Sequence, residues 1–439
     1  MREFSCNLRF TTRVNTGSQN TIAVVLAAGK GTRMKSSTPK VLHEIFNIPL
    51  LGWVLKSLGD IPSVIVTGSG REQVEDYLKN KNVKTAYQAE QLGTGHALSC
   101  AIREIPEDFN GNILVLCGDT PLITNETLTS FIKYHNREES PLSVMTSILE
   151  NPQGYGRIVR DSFGCIKGIV EQKDCTQEQA EINEINTGVY LLNYKLIAPL
   201  LSEIKNNNNQ GEYYLTDIIS LAVQHKLKPC AYCIKNFEEV FGVNSKQDLA
   251  AAFKIMNARH IEFLMTKGVT IVDPSNTYIS PETEIEADTV VLPSCYLENK
   301  NYIATGCKIG PMAHLRGNCI IGEGCKIGNF VELKNANVKA HTNVAHLTYV
   351  GDAEIGSNVN IGAGTIFANY NSVTKEKKKS ILADGVSVGS NSVLVAPVEL
   401  GENAFVAAGT VVTKNADKNS LVITRAPQKE IKDWIRSKK

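Results

Sequence analysis

Residues 308–329 read KIGPMAHLRGNCIIGEGCKIGN and carry an aliphatic residue at every sixth position. Small residues often follow the aliphatic one, as in KIGP, IIGE and KIGN. A period of six residues is typical of the hexapeptide repeats that fold into a parallel β-helix. Three hexads make one triangular coil with each aliphatic residue pointing inward, so residues eighteen apart stack about 4.8 Å from one another. In this stretch the inward positions are Ile309, Leu315, Ile321 and Ile327.

The same register extends over most of the C-terminal half. Ten aliphatic residues follow one another at a spacing of six from Ile279 to Leu333, and the register resumes after short steps as far as Val412. Because a single coil cannot bury its apolar face, stacked coils make one continuous core. Two stretches, residues 339–351 and 368–381, interrupt the pattern. We expect both to leave the coils as loops that carry function.

The N-terminal half follows another pattern. From about residue 21 to 244, short apolar runs such as TIAVVLAAG, SVIVTGS and NILVLCGD alternate with segments of helical pattern. Continuous apolar runs are expected of strands that are buried on both faces of a parallel sheet. The order therefore predicts a doubly wound, Rossmann-like α/β domain, with ligands at the carboxyl ends of its strands.

A length of 439 residues predicts two or three domains. We expect the α/β domain over residues 21–244, a connecting helix over 245–267 and a left-handed β-helix over 268–425. Residues 426–439 would form a tail. Residues 1–20 lack the continuous apolar centre of a signal peptide, and we interpret them as a disordered extension or as sequence upstream of the true start.

The composition excludes some classes of function. A hydrophobic fraction of 42% and a charged fraction of 21% are typical of a globular protein, and a net charge of +1 gives no general attraction to nucleic acid or membranes. No apolar run is long enough to cross a bilayer. The eleven cysteines show no repeating framework, which fits reduced thiols in a cytosol. We therefore expect a cytoplasmic protein without nucleic-acid or membrane partners.

Several cysteines and histidines are interpreted as structural. Cys230 and Cys233 form a lone C-x-x-C, and we expect core residues there and not metal ligands or a redox pair. Cys307 and Cys325 are eighteen apart and should stack in neighbouring coils as reduced thiols. His260 falls on the apolar stripe of the connecting helix and is expected in a core or an interface. The histidines expected to be structural or at the surface are His43, His96, His314 and His341.

Residues 24–34, VVLAAGKGTRM, form a glycine-rich turn directly after an apolar run, which is a common place to hold a phosphate. Gly29 and Gly31 bracket a lysine, so the turn matches neither of the common phosphate-binding glycine motifs. The backbone N–H groups of residues 27–31, at the start of a helix, could cradle a triphosphate. The alternative is a surface turn with incidental lysines. The positive charges near the turn are Lys30, Arg33 and Lys40.

The segment LAAGKGTRM followed by PKVLH resembles the signature of sugar-nucleotide pyrophosphorylases. YQAEQLGTGHAL, GDTPLI, GYGRIV, GIVEQKD, EINTGVYL, QGEYYLTDII and VFGVN follow in the order of that family. Together with the hexapeptide repeats, residues 21–435 closely resemble the bacterial bifunctional N-acetylglucosamine-1-phosphate uridyltransferase/glucosamine-1-phosphate acetyltransferases. The resemblance implies UDP-N-acetylglucosamine synthesis for peptidoglycan and lipopolysaccharide precursors. It also implies a cytoplasmic homotrimer that packs through the β-helix.

For the N-terminal half, the resemblance implies a uridylyl-transfer site that uses UTP and Mg²⁺. Asp119 and Asn244 would hold the metal, while Arg33 and Lys40 would neutralise the phosphates. Cys117 stands where the family has a tyrosine, so a side-chain contact of that residue with the nucleotide is in doubt. Without the resemblance, Asp119 would be read as a turn residue. N-acetylglucosamine-1-phosphate would contact Gly156, Glu171, Asn186 and Asn244. UTP would contact Leu26, Ala27, Ala28, Gly29, Lys30, Gly31, Lys40, Gln88, Gly93, Thr94 and Gly118, with Gln88, Gly93 and Thr94 reading uracil.

For the C-terminal half, the resemblance implies acetyl transfer from acetyl-CoA at a site shared between subunits. His346 would be the general base that takes a proton from the amine of glucosamine-1-phosphate, since an imidazole titrates close to neutral pH. The alternative for His346 is a loop histidine paired with a backbone carbonyl. The sugar phosphate would be held by Arg316, Lys334, Tyr349 and Asn360. Acetyl-CoA would lie along Ala363, Asn369, Tyr370, Ser390, Ala408 and Arg425.

Two other functions stay open at this point. One is a monofunctional sugar-nucleotide pyrophosphorylase with a structural β-helix, which gives no reason for Arg316, Lys334 and His346 to occur together. The other is a non-catalytic assembly subunit, which would be free to lose Lys40 and Asp119.

Overall fold

The computed structural model describes residues 20–434. Within them the chain divides into two compact units, and the division along the sequence falls between Phe253 and Lys254. The predicted connecting helix is present over Lys246–Thr266, so the division falls inside it. The expectation for residues 1–20 lies outside the described residues, apart from Asn20. Among the helices of the described part, none is long and apolar enough to cross a membrane. The domain boundaries at residues 244, 267 and 425 stay a prediction.

The first unit alternates strands and helices. Its strands are β1 (Thr21–Leu26), β2 (Glu44–Ile45), β3 (Ile48–Pro49), β4 (Ser63–Thr67), β5 (Lys84–Tyr87), β6 (Asn112–Cys117), β7 (Leu142–Ile148), β8 (Arg157–Arg160), β9 (Ile166–Val170), β10 (Glu184–Asn193) and β11 (Cys230–Ile234). The α-helices among residues 20–434 are α1 (Leu50–Leu58), α2 (Arg71–Leu78), α3 (Thr94–Ile102), α4 (Asn125–Arg137), α5 (Gln177–Ala180), α6 (Tyr194–Ile197), α7 (Asp217–Gln224) and α8 (Lys246–Thr266).

The main sheet of this unit has the order β11-β7-β10-β6-β1-β4-β5 and confirms the Rossmann-like prediction. β1 pairs in parallel with both β4 and β6, and Ala23, Val24 and Val25 at its centre are fully buried. β10, in contrast, runs antiparallel between β6 and β7. Its segment Val189–Leu192 is buried as completely as the parallel strands, so an apolar run alone does not reveal strand direction.

The expectation that an α-helix follows the glycine-rich turn was wrong. Only a single 3₁₀ turn over Thr32–Met34 follows it. Gly31 and Lys35 flank this turn with φ of 58° and 47°, and left-handed residues at both ends limit it to three residues. An anion at this turn therefore relies on individual N–H groups and side-chain charge, because there is no helix dipole behind it.

The second unit confirms the predicted β-helix. Its strands are two to seven residues long and pair in parallel throughout. The predicted inward residues from Ile279 to Val412 are all buried. The strands are β12 (Thr270–Ile271), β13 (Tyr278–Ile279), β14 (Glu284–Ile285), β15 (Val290–Val291), β16 (Tyr296–Leu297), β17 (Tyr302–Ile303), β18 (Lys308–Ile309), β19 (His314–Leu315), β20 (Ile320–Ile321), β21 (Lys326–Asn329), β22 (Glu332–Val338), β23 (Asn343–His346), β24 (Tyr349–Ile355), β25 (Asn360–Ile361), β26 (Ile366–Ala368), β27 (Ser380–Leu382), β28 (Ser387–Val388), β29 (Val393–Val395), β30 (Val398–Leu400), β31 (Phe405–Val406), β32 (Val411–Val412) and β33 (Leu421–Val422).

These strands form three columns, as a triangular coil requires. One column is the sheet β12-β15-β18-β21-β23-β25-β28-β31-β33, and a second runs β13-β16-β19-β22-β24-β26-β29-β32. The third column joins the second because β22 and β24 continue around a corner of the coil.

Only one of the two predicted loops leaves the coils. Residues 339–351 stay in them, with Val344 and Val350 fully buried, so that expectation was wrong. The spacing between residues that stack on adjacent coils shortens there from 18 to 17, as in the pair Leu333↔Val350. The coil is one residue shorter at a corner and otherwise keeps its path. Residues 371–379, in contrast, are exposed, and those between the bridged pair Tyr370 and Lys377 protrude from the coils, because this insertion is too long for a corner.

The expectation for Cys233 was also wrong. This thiol is exposed and Cys230 is only half-buried, because β11 is the edge strand of its sheet. Cys307 and Cys325 are buried in neighbouring coils, as their spacing predicts. His260 is half-buried, burial lowers its pKa to about 4, and its Nε2 lies 3.2 Å from the carbonyl oxygen of Thr283, as expected of a core or interface histidine.

Candidate active sites

The carboxyl ends of β1 and β6 meet at one edge of the first sheet, because Leu26 pairs with Cys117. The N–H of Gly118 donates to the carbonyl of Leu26 at 2.9 Å, and the N–H of Ala27 donates to the carbonyl of Val66 at 3.0 Å. The glycine-rich turn and Asp119 therefore lie side by side at the edge where α/β sheets bind ligands.

The two glycines of the turn differ in their surroundings. A Cβ added at Gly29 would meet no atom within 4 Å, so the turn faces open space at this point. A Cβ at Gly31, whose φ is 58°, would lie 2.7 Å from the Cβ of Lys40. Gly31 thus allows the turn to pack against Lys40, while Lys30 and Arg33 stay exposed.

Lys40, Asp119 and Asn244 come together from three distant segments. The Lys40 Nζ contacts the Asp119 carboxylate and lies 3.2 Å from the Asn244 Oδ1. The side chains of Lys40 and Asp119 are only 15% and 16% exposed. The N–H of Val243 donates to the carbonyl of Asp119 at 2.9 Å, which fixes the two segments together.

The oxygens of Asp119 and Asn244 fit Mg²⁺, which prefers hard oxygen ligands. Within residues 20–434 no group of three or more His, Cys, Asp or Glu side chains could hold a metal. A metal held by these two oxygens would complete its shell with water and substrate phosphates, which is the usual habit of Mg²⁺.

Gln88 follows β5 and is buried. Its Nε2 donates to the carbonyl of Gly93 at 3.0 Å and lies 3.1 Å from the Nδ1 of His96. Gly93 precedes α3 with a φ of 112°, and an added Cβ would lie 2.6 Å from the carbonyl oxygen of Tyr213. Thr94 uses its hydroxyl to accept a hydrogen bond from the N–H of Leu215 at 3.0 Å.

Gly156, Glu171 and Asn186 form one cluster. The N–H of Asn186 donates to the carbonyl of Gly156 at 2.8 Å, and a Cβ at Gly156 would lie 3.5 Å from the Glu171 carboxylate. Burial raises the pKa of Glu171. The Oδ1 of Asn186 accepts from the N–H of Gly188 and from the hydroxyl of Tyr190, at 3.0 and 3.1 Å, so its amide hydrogens are left for a ligand.

Cys117 does not act as a reactive thiol. Burial raises its pKa to about 12, so the thiol is protonated at neutral pH. A Cβ added at Gly188, where φ is 79°, would lie 3.2 Å from the Cys117 sulfur. The cysteine therefore packs against that glycine.

In the second unit, Arg316 and Lys334 occupy equivalent positions on adjacent coils. The pair Leu315↔Leu333 sets this register, and the N–H of Arg316 donates to the carbonyl of Leu333 at 2.8 Å. The Nη1 of Arg316 also lies 2.8 Å from the Glu332 carboxylate. Two cations stacked in this way suit a phosphate.

The next position in this column is Gly351, which pairs with Lys334. A Cβ at Gly351 would overlap the hydroxyl of Tyr349 and the side-chain amide of Asn369. The missing side chain thus lets two of the predicted substrate residues converge beside the cation pair. The sequence analysis did not single out this glycine.

Asn369 is held by a ladder of polar side chains that the sequence analysis also missed. Its Nδ2 donates to Asp352 at 2.5 Å, and Asn335 donates to the other oxygen of the same carboxylate at 2.9 Å. Asn318 donates in turn to the Oδ1 of Asn335 at 3.0 Å. The 17-residue spacing of these side chains is the signal that could have revealed the ladder.

His346 begins a column of small residues. It is exposed at the end of β23, and its Nδ1 lies 3.3 Å from the side-chain oxygen of Asn329, with which it pairs. Ala363, Ser390 and Ala408 follow in the same column on successive coils, according to the register of β23, β25, β28 and β31. Arg425 donates to the carbonyl of Ala408 at 3.1 Å.

Asn360 and Tyr370 are not brought to His346 within one chain. Asn360 is exposed on β25, and Tyr370 is 51% exposed at the base of the protruding segment. No contact among the described residues joins either of them to His346.

The Rossmann-like sheet with its glycine-rich turn and the hexapeptide β-helix are the two parts of a nucleotidyltransferase domain joined to a β-helix. Residues 23–165 match the MobA-like NTP transferase domain, and residues 291–438 match the GMPPB C-terminal domain. The bifunctional protein GlmU of Clostridium novyi is 43% identical and covers 95% of this chain and 98% of its own. Those of Thermoanaerobacter pseudethanolicus and Acetivibrio thermocellus are 42% and 41% identical, with 95% and 94% of this chain covered and 98% and 97% of their own. The solved UDP-glucose pyrophosphorylase with UDP-glucose covers 54% of this chain and 97% of its own at 23% identity and a TM-score of 0.45. The chain belongs to the bifunctional GlmU family.

Proposed function

We propose that the two units carry the two activities of the bifunctional GlmU family, acetyl transfer and then uridylyl transfer. The protein is a transferase of UDP-N-acetylglucosamine biosynthesis. It acetylates glucosamine-1-phosphate with acetyl-CoA, and it joins the N-acetylglucosamine-1-phosphate to UTP with release of pyrophosphate. The bifunctional relatives match 95% of this chain, so both halves have a counterpart in them. This weighs against a monofunctional pyrophosphorylase with a structural β-helix.

Uridylyl transfer takes place at the edge of the first sheet. A phosphate oxygen of N-acetylglucosamine-1-phosphate attacks the α-phosphorus of UTP, and the bond from that phosphorus to the pyrophosphate oxygen breaks. Such a reaction needs positioning and charge neutralisation more than a general base. Lys40 and Arg33 supply positive charge, and the glycine-rich turn supplies backbone N–H groups. Mg²⁺, held by Asp119 and Asn244, adds neutralising charge to the phosphates when it is bound.

The sugar lies against Gly156, Glu171 and Asn186. The amide hydrogens of Asn186 donate to it, and Gly156 presents its backbone to the sugar without a side chain, in a cluster where an added Cβ would lie 3.1 Å from Ile169. Gln88, Gly93 and Thr94 face the uracil end of UTP, and Gly118 contacts the nucleotide.

Acetyl transfer takes place on the β-helix. The amine nitrogen of glucosamine-1-phosphate attacks the thioester carbon, and the bond from this carbon to sulfur breaks as coenzyme A leaves. His346 takes the proton that the amine gives up. Arg316 and Lys334 bind the sugar phosphate, and Tyr349 lies beside them. The column of Ala363, Ser390 and Ala408, with Arg425 at its end, suits the narrow pantetheine chain because its residues are small.

A homotrimer accounts for the residues that stay apart within one chain. Asn360 and Tyr370 would complete the acetyl-transfer site across a subunit boundary. Sedimentation of the full chain should give the mass of a trimer, and a monomer at micromolar concentration would contradict the shared site.

The convergence of Lys40, Asp119 and Asn244 carries the proposal, because segments 79 and 204 residues apart supply one compact set of phosphate and metal groups. The test is pyrophosphate release from UTP, ATP, CTP and GTP with N-acetylglucosamine-1-phosphate. We expect release with UTP and little with the others. Equal use of all four nucleotides, or none, would contradict the proposal.

A further inference from the structure

Gln88 has its position fixed at both the main chain and the side chain. Its N–H donates to the carbonyl of Thr67 at 2.8 Å, which continues the β4–β5 pairing beyond the end of β5. The residue is 3% exposed, and its Nε2 lies 3.0 Å from the Gly93 carbonyl oxygen and 3.1 Å from the His96 Nδ1. The amide therefore has little freedom to turn.

These two partners decide which way the amide faces. A primary amide carries two hydrogens on nitrogen, and both are used when it donates to Gly93 and to His96. The exchanged orientation would place the Oε1 of Gln88 against the carbonyl oxygen of Gly93, and two acceptors would then face each other without a proton. The oxygen of Gln88 is thus the group that remains for a ligand.

The role of His96 depends on its tautomer. Its Nδ1 can accept from Gln88 only if the ring proton sits on Nε2. The sulfur of Cys100, one turn later on α3, lies 3.8 Å from Nε2 and can accept that proton. α3 thus supplies both the acceptor for Gln88 and a sulfur that is placed to accept the proton of the required tautomer.

We propose that His96 is a positioning residue that sets the preference for uracil over cytosine by orienting the Gln88 amide. This inference rests on the proposed function, in which Gln88 meets the base of UTP. Uracil carries a hydrogen on N3, and the Gln88 oxygen accepts it. Cytosine carries a lone pair at N3, so two acceptors would face each other at the buried Gln88. A site built to bond a donor rejects the analogue that lacks it.

The test compares kcat/KM for UTP and CTP in two variants of matched shape. His96→Leu places a methyl group where the Nδ1 accepts, and His96→Asn places a carbonyl oxygen there. We expect the UTP/CTP ratio to fall about tenfold in His96→Leu, since the amide then keeps one of its two orienting partners. The ratio should stay within about threefold of the wild type in His96→Asn. Ser99→Ala, on the same helix, is the control and should leave the ratio unchanged.

Gln88→Leu separates this inference from the proposed function. An unchanged UTP/CTP ratio in Gln88→Leu would contradict uracil reading by Gln88 itself. A lowered ratio in Gln88→Leu with an unchanged ratio in His96→Leu would overturn only the role of His96. If His96→Leu does not fold, ¹⁵N spectra of the wild-type imidazoles decide. A proton on the Nε2 of His96 supports the inference, and a proton on its Nδ1 overturns it.

Discussion

The side-chain ammonium of Lys40 contacts the carboxylate of Asp119, which lies 79 residues further along the chain. The same ammonium is 3.2 Å from the side-chain oxygen of Asn244. One cation therefore joins the two oxygens that are proposed to hold Mg²⁺. A metal bound by these oxygens would have to displace the ammonium, and the released lysine would then be available to the phosphates of the proposed substrate.

Lys40→Met should strengthen the binding of Mn²⁺ alone by about tenfold, because the ammonium no longer competes for the Asp119 carboxylate. The same variant should lose most uridylyl transfer, since it lacks a charge that neutralises the phosphates. Electron paramagnetic resonance of free Mn²⁺ measures the binding. Lys30→Met removes an equal charge from an exposed position nearby and should change it much less. Unchanged or weaker Mn²⁺ binding by Lys40→Met would show that the lysine does not compete.

Gly351→Ala should reduce acetyl transfer by about 10²-fold, because the added methyl group would displace Tyr349 and Asn369 from their positions beside the cation pair. Uridylyl transfer by the same preparation should be unchanged. Glu354→Ala is the control on the same strand, since it removes only an exposed ion pair with Lys379. Near-normal acetyl transfer by Gly351→Ala would mean that those two side chains do not need this space.

Lys334→Met should raise KM for glucosamine-1-phosphate about tenfold, with a smaller effect on kcat, since the lysine is proposed to bind the phosphate and not the reacting amine. Arg316→Met should act in the same way. The double variant should cost less than the product of the two single effects, because both cations would bind one phosphate. Strictly multiplicative effects would place the two side chains in separate sites.

Acid should weaken the first unit through His135. This side chain is 3% exposed, its Nδ1 lies 2.9 Å from the Ser143 hydroxyl, and burial lowers its pKa to about 4. Between pH 6.5 and 4 the unfolded chain binds the extra proton, so stability rises with pH in this window and is lost as pH falls. The slope should approach about 1.4 kcal/mol per pH unit. Urea unfolding of wild type and His135→Gln tests this, and an equal slope in both would exclude His135 as the cause.

The β-helix could be predicted from the sequence because its inward residues obey one strict period. A buried aliphatic at every sixth position leaves few other folds, and burial from Ile279 to Val412 follows. The coils around His346 were wrongly predicted to be a loop. The inward residues Leu333 and Val338 are five residues apart instead of six, which suggests the start of a loop, but the structure accommodates the missing residue at a corner of the coil. The exposure of Cys233 was missed because an apolar run does not show that its strand lies at an edge.

The candidate sites were predictable to the extent that short motifs name their residues. The sequence pointed to Lys40, Asp119 and Asn244, and the fold brings them together. It classed His96 as structural or surface and did not single out Gly351, because the roles proposed for them depend on the orientation of a neighbouring amide and on an empty volume. Neither quantity has a sequence pattern of its own, since both depend on contacts that form only in the folded chain.

The central claim is that one chain carries two independent transfer reactions. Pyrophosphate release and coenzyme A thiol release, measured on the same preparations of Asp119→Ala and His346→Ala, test it most directly. We predict that Asp119→Ala loses uridylyl transfer and keeps acetyl transfer. His346→Ala should do the reverse, with acetyl transfer lower by about 10²–10⁴-fold, the usual contribution of a positioned base. A folded variant that loses both reactions, or a His346→Ala protein that acetylates at a near-normal rate, would contradict the account.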